Sequence, residues 1–122
     1  MDKQSLGQIG ENLACEYLVN KRYKVIERNY RTKWDEIDII CKAKDETLVF
    51  VEVKTLQGNP GGLMPEDNLT AAKYRKISRA CQVFAAKGGD LVKENKGWRI
   101  DLVAVSLDNE GKTKEIRHYE NV

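Results

Sequence analysis

The sequence predicts a mixed α/β domain in which helices pack on a central sheet, in the order helix, three strands, helix, two strands. Three observations carry this. Apolar residues recur at helical spacing in two separate stretches, short segments rich in branched and aromatic residues lie between and after them, and a proline- and glycine-rich stretch separates the third strand from the second helix.

The first helix is expected to open on a capping box formed by Ser5 and Gln8 and to run to about Val19, with Ile9, Leu13, Ala14, Tyr17 and Leu18 on one face. Tyr23 to Tyr30 reads as a strand, followed by a polar connection from Arg31 to Trp34. Glu36 to Cys41 and Leu48 to Lys54 read as a hairpin around the turn-like Lys42 to Thr47. Gln57 to Pro65 holds both prolines and three glycines, and is expected to be a mobile loop that folds over substrate. Thr70 caps the second helix, where Tyr74, Ile77, Cys81 and Phe84 form the buried stripe and Gly88-Gly89 the stop. Trp98 to Ser106 alternates as a strand, and Glu115 to Tyr119 follows the turn at Asn109 to Gly111.

With 122 residues the chain is expected to form one domain over 1–122. No segment reaches the length of a membrane span and the N-terminus lacks a signal-peptide apolar stretch, so a cytoplasmic location without membrane association is expected. Cys15, Cys41 and Cys81, with one histidine, match no short zinc-binding spacing and read as reduced thiols. The formal net charge is only +2, yet the basic residues are clustered. Lys21, Arg22, Lys24, Arg28, Arg31 and Lys33 surround one acid, Glu27, and Lys73, Arg75, Lys76, Arg79 and Lys87 share their segment with none. Such islands suit phosphate backbones, although many are simply solvated faces.

The hairpin carries the chemistry. If its turn is centred near Asp45, residues whose numbers sum to 90 face each other, pairing Ile40 with Phe50, Ile39 with Val51, Ile37 with Val53, Asp38 with Glu52 and Glu36 with Lys54. Two carboxylates then stand with β-carbons roughly 4.5–5.5 Å apart, an unfavourable pairing unless something neutralises it. A shared proton, Lys54 on the same face, or a divalent cation could do so. All-oxygen ligands favour magnesium or manganese over zinc. Two acids and a lysine around such an ion suit phosphodiester hydrolysis. Equally, Asp38 and Glu52 could be strand-end acids in solvent, with Lys54 pairing with Glu36.

At these residues the sequence resembles the YraN-like family of small bacterial proteins with a restriction-endonuclease-like fold, and more distantly the archaeal Holliday-junction resolvases. The matching residues are Gly7-Gln8-Ile9-Gly10-Glu11 with Ala14 and Leu18, Arg28-Asn29-Tyr30 and Glu36-Ile37-Asp38-Ile39-Ile40. Phe50-Val51-Glu52-Val53-Lys54-Thr55, Lys73 with Ile77 and Ala80, Arg99-Ile100-Asp101 and His118 complete the match, which spans nearly the whole chain. Two positions depart from the pattern: Asp35 stands where family members usually carry glycine, and Leu56 where they often carry arginine. The resemblance implies a mixed β-sheet flanked by helices and a nuclease site of Asp38, Glu52 and Lys54, with Glu11 approaching the same Mg2+ or Mn2+ from the first helix. Lys73, Lys76, Arg79 and Arg31 are the expected nucleic-acid contacts. His118, Trp34 and Trp98 read more simply as structural than as a general base or base-stacking platforms.

The function so implied is a metal-dependent endonuclease acting on structured or branched DNA. The alternatives are a nucleic-acid-binding module of the same fold without catalysis, or a protein-interaction domain. A homodimer is compatible with a symmetric substrate, which needs two sites, though no segment of the sequence announces an interface.

Overall fold

A computed structural model of the chain describes residues 2–33, 35–58, 64–92 and 96–122, the side chains of Lys3, Asn68 and Asp90 excepted. The element order is α1 (Lys3–Asn20), β1 (Lys24–Arg31), β2 (Glu36–Lys42), β3 (Leu48–Gln57), α2 (Ala71–Lys87), β4 (Trp98–Leu107) and β5 (Thr113–Tyr119), with short 3₁₀ turns at Pro65–Asn68 and Gly89–Leu91. This is the predicted mixed α/β arrangement. The strands form one five-stranded sheet in sequence order, antiparallel except for the central β3–β4 pair, which is parallel and joined through α2.

One helix covers each face. Alternation along β3 sends Val49 and Val51 into the core under α1, with Ala14, Leu18, Val103 and Val105. Leu48 and Phe50 enter the core under α2, with Ile77, Ala80, Cys81, Phe84 and Ile100. No helix among the described residues is long and apolar enough to cross a membrane.

The helix starts are decided by side-chain acceptors. Asp2, not Ser5, is the N-cap of α1: its carboxylate accepts the Ser5 backbone N–H at 2.7 Å. The Ser5–Gln8 box is thereby corrected, because Ser5 lies inside the first turn and Asp2 offers the same chemistry three residues earlier. Thr70 caps α2 as expected, accepting from the Lys73 N–H at 3.2 Å.

Gly10 sets the distance of α1 from the sheet. A β-carbon there would lie 1.8 Å from Thr55 Oγ1, so only glycine lets the helix come this close to β3. Gly10→Ala is expected to cost about 1–3 kcal/mol through overpacking, read as a lower denaturation midpoint with an unchanged slope.

The hairpin register holds at its centre: Ile39 opposes Val51 and Ile40 opposes Phe50. The ladder ends there, however, and the predicted pairs Asp38–Glu52, Ile37–Val53 and Glu36–Lys54 lie beyond it. β2 stays with β1 instead, where Glu36 opposes Arg31 and Ile37 opposes Tyr30. The separation coincides with a reversal of faces. Asn29 has φ 56, a left-handed conformation in mid-strand that asparagine tolerates better than most residues. In consequence Arg28 reaches α1, whereas Tyr30, two residues on, packs edge-on against Phe84 of α2 with ring centroids 5.1 Å apart. β2 answers in kind, with Ile39 in the core under α1 and Ile37 in the core under α2. Asp38 sits at the reversal.

Candidate active site

Where β2 parts from β3, the Asp38 side chain occupies the gap. Its Oδ2 accepts the Val53 backbone N–H at 2.8 Å. Glu52 stands close enough for its charge to act on the Asp38 carboxyl. Burial, reinforced by the Glu52 charge, pushes the Asp38 pKa up to about 8. Burial likewise raises Glu52, against the pull of Lys54, whose Nζ lies 3.1 Å from Glu52 Oε1. Glu52 is only 9% exposed. The solvated-acid reading of this pair therefore does not hold, and Lys54 pairs with Glu52, not with Glu36. Asp35 adds a further charge that disfavours ionised Glu52.

Glu11 comes from α1 and is buried, but another cation holds it. Arg28 donates from Nε and Nη2 to Glu11 Oε1 at 3.1 and 3.0 Å, and its Nη2 also reaches Asn12 Oδ1 at 2.7 Å. A cleft of about 490 Å³ opens between the two helices and the end of β3, lined by Leu6, Gly7, Glu11, Asp38, Val53, Thr55, Leu56 and Lys73. Asp38, Glu11 and Lys73 are thus brought to one opening. Glu52 and Lys54 stand behind it: alternation along β3 puts them on the other face from Val53 and Thr55. Among the described residues, no group of three or more histidine, cysteine, aspartate or glutamate side chains is arranged to hold a metal ion.

Of the other predicted contacts, Lys76 and Arg79 are exposed on α2 and Arg31 is exposed at the end of β1, 3.7 Å from Glu36 Oε2. None of the three lines the cleft. Trp98 packs edge-on against Phe50 at 5.3 Å, a structural role. Trp34 and the centre of the proline- and glycine-rich stretch, 59–63, lie outside the described residues.

Two polar clusters escaped the sequence reading. In the first, fully buried Asp101 accepts from Arg99 at 2.9 and 3.3 Å, from the Asn121 backbone N–H at 3.0 Å, and contacts His118 Nε2 at 2.8 Å. Arg99 continues to the Tyr23 hydroxyl at 3.0 Å and to Glu120 at 2.7 Å. Burial opposes the Asp101 charge, but the bonds from His118 and Arg99 outweigh it and hold its pKa below the usual carboxylate range. His118 lies between the Tyr17 and Tyr23 rings with Nδ1 buried and unpartnered, which makes it part of the fold. In the second cluster Arg117 of β5 donates to both oxygens of Glu66 at 2.6 and 2.8 Å, and the Tyr119 hydroxyl donates to Glu66 at 2.6 Å. The Arg117 bond lowers the Glu66 pKa to about 2. Only the residue types were visible in the sequence: Arg99 and Asp101 are neighbours on one strand, but His118, Glu120 and Tyr23 lie 17, 21 and 76 residues from their partners, and Arg117 lies 51 from Glu66.

Comparison with known proteins finds relatives of this chain. A UPF0102 protein of Desulforamulus reducens is 35% identical over 121 residues, covering 99% of this chain and 97% of its own. UPF0102 proteins of Campylobacter lari and Geobacter metallireducens are 41% and 37% identical, covering 82% and 99% of this chain and 82% and 93% of their own. A solved structure described as Pyrococcus furiosus SfsA in complex with Ca2+ covers 90% of this chain and 62% of its own at 17% identity, with a TM-score of 0.41, too slight a likeness to bear on function. The family described as "Uncharacterised protein family UPF0102" matches residues 10–105, a span that holds Glu11, Asp38, Glu52, Lys54 and Lys73, and the chain belongs to that family.

Proposed function

We propose that the chain is a divalent-metal-dependent endonuclease of the restriction-endonuclease-like class, hydrolysing phosphodiester bonds in structured or branched DNA. One observation carries this reading: two carboxyls, the half-buried Asp38 and the buried Glu52, stand close together with raised pKa values, beside a lysine and at the edge of an open cleft. Such a pair is unfavourable unless neutralised, and its all-oxygen character fits Mg2+ or Mn2+. Asp38 and Glu52 would hold the ion, and Glu11 would join them only by exchanging Arg28 for it. A metal bound there would polarise the phosphoryl group and favour hydroxide at neutral pH.

The chain's own residues do the rest. Asp38, fixed by the Val53 N–H, presents an oxygen to the cleft and takes up or gives up a proton as the site fills. Lys54, held on Glu52 behind the cleft, steadies that carboxyl and adds positive charge on the site's far side. Lys73 lines the opening and meets the incoming backbone, while Lys76, Arg79 and Arg31 extend the contact outward. Leu6, Val53 and Leu56 wall the cleft and limit water. A restriction-endonuclease-like assignment also accords with the element order and with the mixed sheet that has a parallel pair at its centre.

A second reading has its own support. Glu11 is committed to Arg28 and no three-acid group is arranged for metal among the described residues, as expected of a nucleic-acid-binding module without catalysis. Cleavage of labelled junction, flap, linear duplex and RNA substrates with Mg2+ or Mn2+ separates the two. The nuclease reading expects metal-dependent cutting of the structured DNA, reduced to background by Glu52→Gln while salt-sensitive binding persists. Binding with no cutting under any metal establishes the second reading, and cutting unaffected by Glu52→Gln places the chemistry elsewhere.

A further inference from the structure

The Glu11–Arg28 pair stands at the boundary of the candidate site. Glu11 lines the cleft with Asp38 and Lys73, whereas Arg28 does not line it. The Glu11 charge reaches into the site: burial and then Glu52 raise the Asp38 pKa most, and Glu11 adds to them. Arg28 comes to the carboxylate from β1 because Asn29, left-handed at φ 56, turns Arg28 toward α1. A sparsely populated backbone conformation in mid-strand is thus kept beside the cation that holds Glu11.

The grip is partial. Both Arg28 bonds, from Nε at 3.1 Å and Nη2 at 3.0 Å, fall on the single oxygen Oε1, where a matched fork would use both carboxylate oxygens. Nη2 is shared with Oδ1 of the exposed Asn12 at 2.7 Å. The Arg28 side chain is 31% exposed and the Glu11 side chain 10%, so the guanidinium is the partner that an incoming ligand can reach. We propose that Arg28 is an exchangeable lock on Glu11: a backbone phosphate of bound nucleic acid draws the guanidinium away, and the freed Glu11 carboxylate joins Asp38 and Glu52 in holding the divalent ion. The inference rests on the metal site proposed above and adds a condition to it, that the third carboxylate is delivered only when nucleic acid is present.

The exchange leaves each charge with a partner. Arg28 gives up a carboxylate for a phosphate, which its planar fork fits equally well, and Glu11 gives up a guanidinium for a cation of higher charge. Half an exchange is unfavourable. Glu11 moving to the ion alone strands a partly buried guanidinium, and Arg28 moving to a phosphate alone strands a buried carboxylate. Metal and nucleic acid therefore bind cooperatively, each raising the affinity of the other by the same factor.

Two mutant cycles on the full chain test this, with melting curves to confirm that each variant is folded. In the first, Mn2+ binding to the chain without nucleic acid is followed by the electron paramagnetic resonance signal of the free ion. Arg28→Gln should tighten Mn2+ binding roughly tenfold, and in the Glu11→Gln background it should change it little. In the second, binding of a labelled DNA flap is measured in EDTA at fixed salt. Glu11→Gln should tighten it roughly tenfold by releasing Arg28 to the phosphates, and in the Arg28→Gln background it should not. Should Arg28→Gln melt early, Arg28→Met, which keeps the apolar stem, takes its place. Equal effects in both backgrounds of either cycle mean that only net charge was changed, and overturn the proposal; so does no effect at all. Where Glu52→Gln abolishes Mn2+ binding while Arg28→Gln leaves it as it was, the lock fails and the metal site stands. Where no form of the chain binds Mn2+, both fail.

Discussion

Asp101→Asn is expected to destabilise the protein by about 3 kcal/mol, the scale of breaking a buried ion pair by removing one partner. Asp101 is fully buried and is the point where β4, β5, the C-terminal residues and, through Arg99 and Tyr23, the start of β1 are joined. An amide keeps the shape but cannot accept from Arg99, His118 and the Asn121 N–H together. For a chain of this length the loss corresponds to a melting temperature lower by about 10 °C. The pH dependence follows from the sign of the shift. The folded pKa of Asp101 is depressed, so its contribution is complete above the ordinary carboxylate pKa and is lost as pH falls through the folded value. The unaltered protein should lose stability in acid, and Asp101→Asn should flatten that limb. Equal melting temperatures for the two proteins at pH 7 would show that the network is not a structural centre.

Asp38→Asn should act in the opposite sense on stability while removing activity. With its pKa raised to about 8, Asp38 is a group that the folded state prefers protonated. Stability is therefore lost progressively as pH rises from the ordinary carboxylate range through about 8, in the absence of metal. Asparagine can still accept the Val53 N–H and carries no charge, so the metal-free variant should be more stable than the unaltered chain by on the order of 2 kcal/mol at pH 8.5, with the difference vanishing near pH 4. Denaturant melts at the two pH values measure this. Cleavage, if the proposed function holds, should fall to background in the same variant. A variant less stable at pH 8.5 would mean that the Asp38 carboxylate is a structural anion and not a site under strain.

How much of this was legible in the sequence depended on the range of the interaction. The centre of the hairpin could be read because Ile39, Ile40, Val51 and Phe50 are apolar, adjacent and separated by a short turn, so one register alone satisfies both faces. The departure of β2 from β3 could not, because it rests on the backbone of Asn29, on a different strand, and on the competing attraction of Tyr30 for Ile37. Glu11 was legible as a residue near the site, but its capture by Arg28 was not: the pair is 17 residues apart and depends on the same reversal. The start of α1 failed for a local reason, since Asp2 and Ser5 are both competent caps. Arg99, Asp101 and His118 stood out in the matched pattern, but not their assembly into one cluster with Tyr23 and Glu120, and the Glu66 cluster joins segments 51 or more residues apart through charge types that occur throughout the chain.

The parallel pairing of β3 with β4 has a consequence for how the chain is made. Residues 24–57 can assemble as a three-stranded meander as soon as they leave the ribosome, but the partner for the other side of β3 is not synthesised until residues 98–107. During that interval Leu48, Phe50 and Val51 border an unfilled hydrogen-bonding edge, and closing it requires a long loop to be ordered at once. The nascent chain therefore passes through a stage in which a strand with an apolar first half, Leu48 to Val51, is open to other chains, and crowding or a slowed ribosome in the α2 region should raise the fraction lost to aggregation.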